Sequence, residues 1–232
     1  MKNIAKLTVA LFFAIAILSG CNQEVKEQPF ILQNGDLLFQ DIDGDVMCDA
    51  IETVTYGYNG AKFSHVGIAV VDSAGNVQVL EAVSRGVVLN SLEKFFARSA
   101  DSTGKPKVIV GRVKAQFKGL GNDAVKRAMS YIGKQYDTVF DMANDTYYCS
   151  ELVQISYKDS AGVPLFGLYP MTFNDPATKT VVPAWKEYYD KMQLAVPEGA
   201  AGLSPGSISL SNNIEIVHIY GMPQGMKVES SK

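Results

Sequence analysis

The stretch Tyr147-Tyr148-Cys149-Ser150-Glu151-Leu152-Val153 constrains this chain more than any other. A cysteine stands directly before a run, Ser150 to Tyr157, in which Leu152 with Ile155 and Val153 with Tyr157 recur at helical spacing. A thiol at a helix start lies beside unpaired backbone N–H groups and the positive end of the helix dipole. Both favour thiolate, the nucleophilic form of cysteine. The competing reading is a buried structural cysteine, since free cysteine is among the most buried residue types. A suitable histidine decides between them, and the chain holds only two. His65 sits in Phe63-Ser64-His65-Val66-Gly67-Ile68, whereas His218 alternates with Ile216 and Tyr220 on a plain strand and reads as structural.

The remainder of the chain predicts a mixed α+β domain. Strands are expected at Gly35–Gln40, Ser64–Val71, Val77–Val83, Gly86–Asn90, Lys107–Val113 and Ile214–Tyr220. Helices are expected at Val46–Thr55, Ser91–Arg98 behind an Asn90 cap, Asp123–Ile132 behind an Asn122 cap, and Trp185–Met192. The segments Gln135–Thr146, Pro164–Pro183 and Pro197–Ser207 read as loops. The turn Asp72–Asn76 makes a hairpin of the second and third strands, which brings His65 near Glu81 if the register is right. A slip of one residue would send them to opposite faces.

The N-terminus reads differently. Lys2 and Lys6 precede the apolar run Leu7–Leu18, the charged and hydrophobic parts of a secretory signal, too short to span a bilayer. Leu18-Ser19-Gly20-Cys21 resembles the bacterial lipobox, which implies that Cys21 is lipidated and becomes the mature N-terminus. Residues 21–29 then form a polar tether, residues 30–224 the catalytic domain and residues 225–232 a tail. The expected location is the membrane surface of the bacterial envelope, on the exported side. Removing residues 1–20 takes away Lys2 and Lys6 and leaves 19 basic against 24 acidic residues, a net charge of -5. With no basic block or stripe, nucleic acid is excluded as a partner.

Asp41-Ile42-Asp43-Gly44-Asp45 matches the start of a calcium loop, and Glu52 falls at its twelfth position, but Val46 stands where the sixth-position glycine is needed. The run is therefore read as an acidic turn capping a helix. No metal and no cofactor is called for. Cys48 lies on the helix that follows and reads as a buried free thiol.

A Cys–His pair with a carboxylate behind the histidine is the general arrangement for thiol acyl transfer. On that chemistry Cys149 attacks a carbonyl, His65 moves the proton and Glu81 orients the imidazole. The motifs that carry these residues resemble those of the NlpC/P60 superfamily of papain-like hydrolases. Gly35-Asp36-Leu37-Leu38-Phe39 and His65-Val66-Gly67-Ile68 come first here, and Gly133-Lys134-Gln135-Tyr136 and Cys149-Ser150-Glu151-Leu152-Val153 come afterwards. The order is that of the circularly permuted YiiX/YaeF-type branch. The resemblance implies a papain-like fold, an antiparallel sheet or partial barrel packed on helices, and a Cys149–His65–Glu81 triad. It also implies Tyr136 as an oxyanion donor beside the Cys149 N–H, core packing being the other reading of that residue; Ser150 and Asp36 are further oxyanion or substrate-binding candidates, Asp36 reading foremost as the organiser of the turn before its strand. Tyr148 and Glu151 depart from the Asp and Gly of the usual motif. The implied activity is a cysteine amidase or peptidase on cell-envelope peptides, peptidoglycan fragments among them. Two other readings stay open: a lipid acyl hydrolase or acyltransferase, with Pro164–Phe173 lining an acyl channel, and a non-catalytic binding module.

Overall fold

The computed structural model describes residues 29–117 and 119–228. The segment read as a secretory signal, Cys21 and most of the expected tether fall outside that range. Among the described residues no helix is long and apolar enough to cross a membrane.

A six-stranded antiparallel sheet organises the domain. Its strands are β1 (Leu37–Gln40), β2 (His65–Val71), β3 (Val77–Val83), β4 (Gly86–Ser91), β5 (Val108–Val113) and β8 (Ile214–Ile219), in the order β4-β3-β2-β1-β5-β8. Two further short strands, β6 (Tyr169–Pro170) and β7 (Ala201–Gly202), pair separately. The helices are α1 (Val46–Val54), α2 (Leu92–Ala97), α3 (Leu120–Met129), α4 (Cys149–Ser156), α5 (Pro183–Lys191) and α6 (Pro205–Ser209).

Alternation along the strands sorts the two faces. Val66, Ile68, Leu80 and Ala82 pack in one buried cluster with Leu152, Val153 and Tyr157 of the α4 segment and Ala124 and Ala128 of α3. Burying each large side chain of that cluster contributes about 1.5–3 kcal/mol. His65 and Glu81 alternate with these residues and turn to the other side, where Phe95 of α2 is fully buried. Gly67 lies on that side too. A Cβ there would stand 2.4 Å from Val79 Cγ1 and 3.0 Å from the Phe95 ring, so glycine two residues after His65 is what lets Phe95 approach.

The turn before β1 is equally tight. Gly35 has φ +84°, and a Cβ on it would lie 2.4 Å from the Cα of Gly121 in α3. The Tyr157 hydroxyl donates to the Gly35 carbonyl at 2.6 Å and ties the end of α4 to the same turn.

Several local expectations are corrected. Strand β4 runs on through Ser91, and Ser91, not Asn90, caps α2 by accepting the Lys94 N–H. Helix α3 starts three residues earlier than expected, behind Gly119, while Asn122 accepts from the Asn34 amide. Helix α6 interrupts the loop expected at 197–207. Beyond residue 224 the chain is still attached, since the Lys227 N–H donates to the Asn59 carbonyl and Met226 packs on the core. The acidic turn does cap α1: Asp45 accepts the Met47 and Cys48 N–H groups, while Asp41 and Asp43 both hold the Lys107 ammonium.

Candidate active site

Cys149 is the first residue of α4 and His65 the first residue of β2, and each group shifts the titration of the other. Continuing the β2–β3 register, in which Ile68 faces Leu80, places Glu81 opposite Gly67 and hence diagonal to His65 on one face. The His65 Nε2 lies 2.6 Å from Glu81 Oε2. All three residues are buried, at 6% exposure for Cys149, 8% for His65 and 0% for Glu81.

Electrostatics push this row toward an ion pair. Burial opposes charge on His65, but its hydrogen bonds to Cys149 and Glu81 and their negative charges outweigh burial and raise the imidazole to about 9. Burial likewise opposes the Cys149 thiolate, and the His65 hydrogen bond and charge win, lowering its pKa. The Ser150 hydroxyl, 3.8 Å from the sulfur, and the Val66 N–H act in the same direction. Burial also works against the Glu81 carboxylate. His65 and Arg98 overcome it and hold the group down at about 2.

Glu81 has two more partners that motif reading missed. Arg98 Nη2 donates to Oε2 at 2.5 Å, and Asn90 Nδ2 donates to Oε1 at 2.7 Å. Asn90 was findable: in the β3–β4 register Glu81 faces Val88, so Asn90 sits diagonal to it on the same face. Arg98 follows the short helix α2, and no spacing rule in the sequence leads to it.

The thiol opens on a cleft of about 270 Å³. Tyr136, Tyr148 and Ser150 line it beside Cys149, as do Ile51 and Val54 of α1, Phe140, Tyr169–Phe173, Trp185 and Leu203. Trp185 anchors the aromatic wall, with edge-on contacts to Phe140 at 5.5 Å and Phe173 at 5.0 Å. Its indole N–H donates to the Ala50 carbonyl at 3.3 Å. Tyr148 is fixed by accepting the Leu203 N–H at 3.2 Å. Tyr136 shares this wall, and burial with the nearby Cys149 charge keeps its hydroxyl protonated and able to donate.

Asp36 is corrected. It is absent from the cleft, and its two oxygens accept from Arg112 Nε and Nη2 at 2.7 Å each, with the Gln33 N–H at 2.8 Å. It stands just before β1, whose far end, Gln40, pairs with His65; the four strand steps from Asp36 to Gln40 place it about 13 Å from the site. Cys48 is a free thiol beside Ser64, pushed up to about 12 mainly by burial, and so stays protonated. In the first turn of α4, burial raises the Glu151 carboxyl to about 8, while the Tyr148 N–H bonded to it at 3.3 Å opposes that rise. Among the described residues, no group of three or more His, Cys, Asp or Glu could hold a metal ion.

This arrangement, a helix-initial cysteine against a strand-initial histidine with the cysteine later in the chain, is that of a permuted papain-like protein. Residues 31–218 match the family described as "permuted papain-like amidase enzyme, YaeF/YiiX, C92 family", and the chain belongs to that family. A particular relative is the protein YiiX of Escherichia coli strain K12, described as uncharacterized. It is 29% identical over 163 residues, which span 68% of this chain and 74% of YiiX. A crystal structure of yiiX from Escherichia coli O157:H7, titled a metalloprotein, superposes with a TM-score of 0.67 at 25% identity, over 84% of this chain and all of that one. The α+β fold with its six-stranded antiparallel sheet is thus the permuted papain-like fold.

Proposed function

We propose that this chain is a thiol amidase in which Cys149 is the nucleophile, His65 the proton carrier and Glu81 the orienting carboxylate. The observation that carries the reading is the buried row Cys149–His65–Glu81 ending at a cleft. The Cys149 thiolate adds to the acyl carbon of the amide. The oxyanion that forms faces two donors, the Cys149 N–H at the start of α4 and the Tyr136 hydroxyl. Imidazolium His65 protonates the leaving amine as the C–N bond breaks, giving a thioester and neutral imidazole. That imidazole then takes a proton from water, whose oxygen attacks the thioester and releases the acid and the thiol.

The preferred substrates are short peptide amides of the cell envelope, peptidoglycan fragments among them. The lipobox-like Leu18–Cys21 segment and a short tether would keep the domain at the membrane surface where such amides occur. One observation favours a second reading. Met171, Phe173, Trp185, Ile51 and Val54 make the cleft strongly apolar, and residues 169–173 of the loop segment form part of its wall. Such a cleft suits an apolar acyl chain, so the lipid acyl hydrolase or acyltransferase reading is carried beside the first. Purified protein offered muropeptides and N-acyl amides of graded chain length, with Cys149→Ala as control, tests both. Cys149-dependent cleavage of either class supports the amidase, and the class cleaved selects the substrate. Cleavage of both series by Cys149→Ala would overturn the assignment.

A further inference from the structure

Glu81 Oε2 is the acceptor for two cations at once. His65 Nε2 lies 2.6 Å from it and Arg98 Nη2 2.5 Å, so the two nitrogens are no farther apart than those two bonds together, about 5 Å. The guanidinium is itself held in place. It lies 5.1 Å above the Phe95 ring, and its Nη2 also reaches Gln40 Oε1 at 3.3 Å. Gln40 is fully buried, donates to Ser99 Oγ at 3.0 Å, and is the β1 residue paired with His65. Asn90 fixes the other carboxylate oxygen at 2.7 Å. The carboxylate therefore cannot turn, and it does not serve the imidazolium alone.

We propose that Arg98 is a positioning residue of this site: it aims Glu81 at His65 and, as a second cation on the same oxygen, loosens the carboxylate's hold on the imidazolium. The inference rests on the thiol amidase reading above. Turnover needs His65 in both states. As imidazolium it supports the thiolate and protonates the leaving amine, and as imidazole it activates water against the thioester. A carboxylate bonded to His65 alone would hold the proton too firmly for the second half.

The groups facing the cluster fix the sign. Glu81 and Cys149, from β3 and α4, are the anions that stabilise the imidazolium, and Arg98, beyond α2, is a cation on the same Glu81 oxygen, where like-charge repulsion opposes it. Asn90 from β4 and Gln40 from β1 are neutral. Tyr136 and Cys48 reach the cluster only through Cys149 and stay protonated. Removing the guanidinium charge while Glu81 remains ionised must therefore raise the titration midpoint of His65. A charge 4–6 Å away moves a midpoint by about 1–3 units, and the one-third exposure of Arg98 argues for the low end, about one unit.

The test is NMR titration of the imidazole signals in the full-length chain. Only two histidines exist, and His218→Gln assigns them. Arg98→Gln, which keeps a donor and removes the charge, is expected to raise the His65 midpoint by about one pH unit. Arg98→Lys is expected to leave it near the wild-type value, and it also serves as the folding control. A lowered or unchanged midpoint in Arg98→Gln, or a raised one in Arg98→Lys, would overturn the proposal. Failure of the amidase reading looks different: His65 in the wild type would then titrate near its ordinary 6.5 and ignore Cys149→Ala.

Discussion

Glu81→Gln isolates the electrostatic part of the site. The carboxylate of Glu81 is fully buried and accepts from His65, Arg98 and Asn90. An amide of the same shape presents an N–H end to one of these donors and removes the charge. His65 stands at about 9 against an ordinary 6.5, a gap worth about 3 kcal/mol of imidazolium stabilisation. Without the carboxylate, burial favours the neutral ring, and at pH 6 the thiolate loses its counter-ion. The Cys149 thiol then titrates at or above its usual value near 8.5. The assay is iodoacetamide alkylation read peptide by peptide by mass spectrometry. Wild-type Cys149 is expected to react readily at pH 6, with Cys48 unlabelled as an internal control. In Glu81→Gln the pH 6 rate falls at least tenfold and recovers only above about pH 9. Stability moves with it. Glu81 sits at about 2 in the fold against 4.5 ordinarily, so its contribution, about 3 kcal/mol, is present above pH 4.5 and is lost as pH falls towards 2. Urea unfolding of the variant should therefore differ from wild type at pH 7 and converge with it at pH 2. Unchanged alkylation of Cys149 at pH 6 in Glu81→Gln would refute the reasoning.

Two further substitutions separate fold from chemistry. Asp36→Asn breaks a buried two-pronged ion pair with Arg112 and is expected to cost about 3 kcal/mol in urea unfolding while the Cys149 alkylation profile stays that of wild type; a lost profile in folded protein would return Asp36 to the site. Tyr136→Phe removes an oxyanion donor and is expected to lower kcat about 100-fold with little change in KM, measured on whichever amide the substrate panel identifies; an unchanged kcat would make Tyr136 a packing residue only.

The sheet was legible because its strands carry strong local signals. Val77–Val83 is a short β-rich run behind a glycine-containing turn, and its partner Ser64–Val71 has the same character. The same alternation that identifies those strands puts His65 and Glu81 on one side once the register is given, and the register follows from the turn at Asp72–Asn76, where the Asp72 carboxylate accepts the Ala74 and Asn76 N–H groups. The helix ends were less legible. Asn90 and Asn122 are both good capping residues by type, yet each uses its side chain in a tertiary contact, to Glu81 and Asn34 respectively, which local preference cannot foresee. Arg98 and the wall residues Phe140 and Trp185 were hidden for a related reason, whereas Phe173 lay in the segment read as a candidate channel lining. Residues up to 120 positions from His65 converge there through packing alone. Asp36 belongs to a recognisable motif, but the motif marks a turn fixed by Arg112.

The central claim is that Cys149 takes up the acyl group. The protein is mixed with N-hexanoyl-L-alanine p-nitroanilide, quenched with acid within the first turnover, digested and mapped by mass spectrometry. The account predicts a burst of p-nitroaniline equal to the enzyme present and a hexanoyl-alanyl thioester on the peptide that contains Cys149, absent in His65→Ala. Release of p-nitroaniline with Cys149 unmodified, or undiminished in Cys149→Ala, would contradict it.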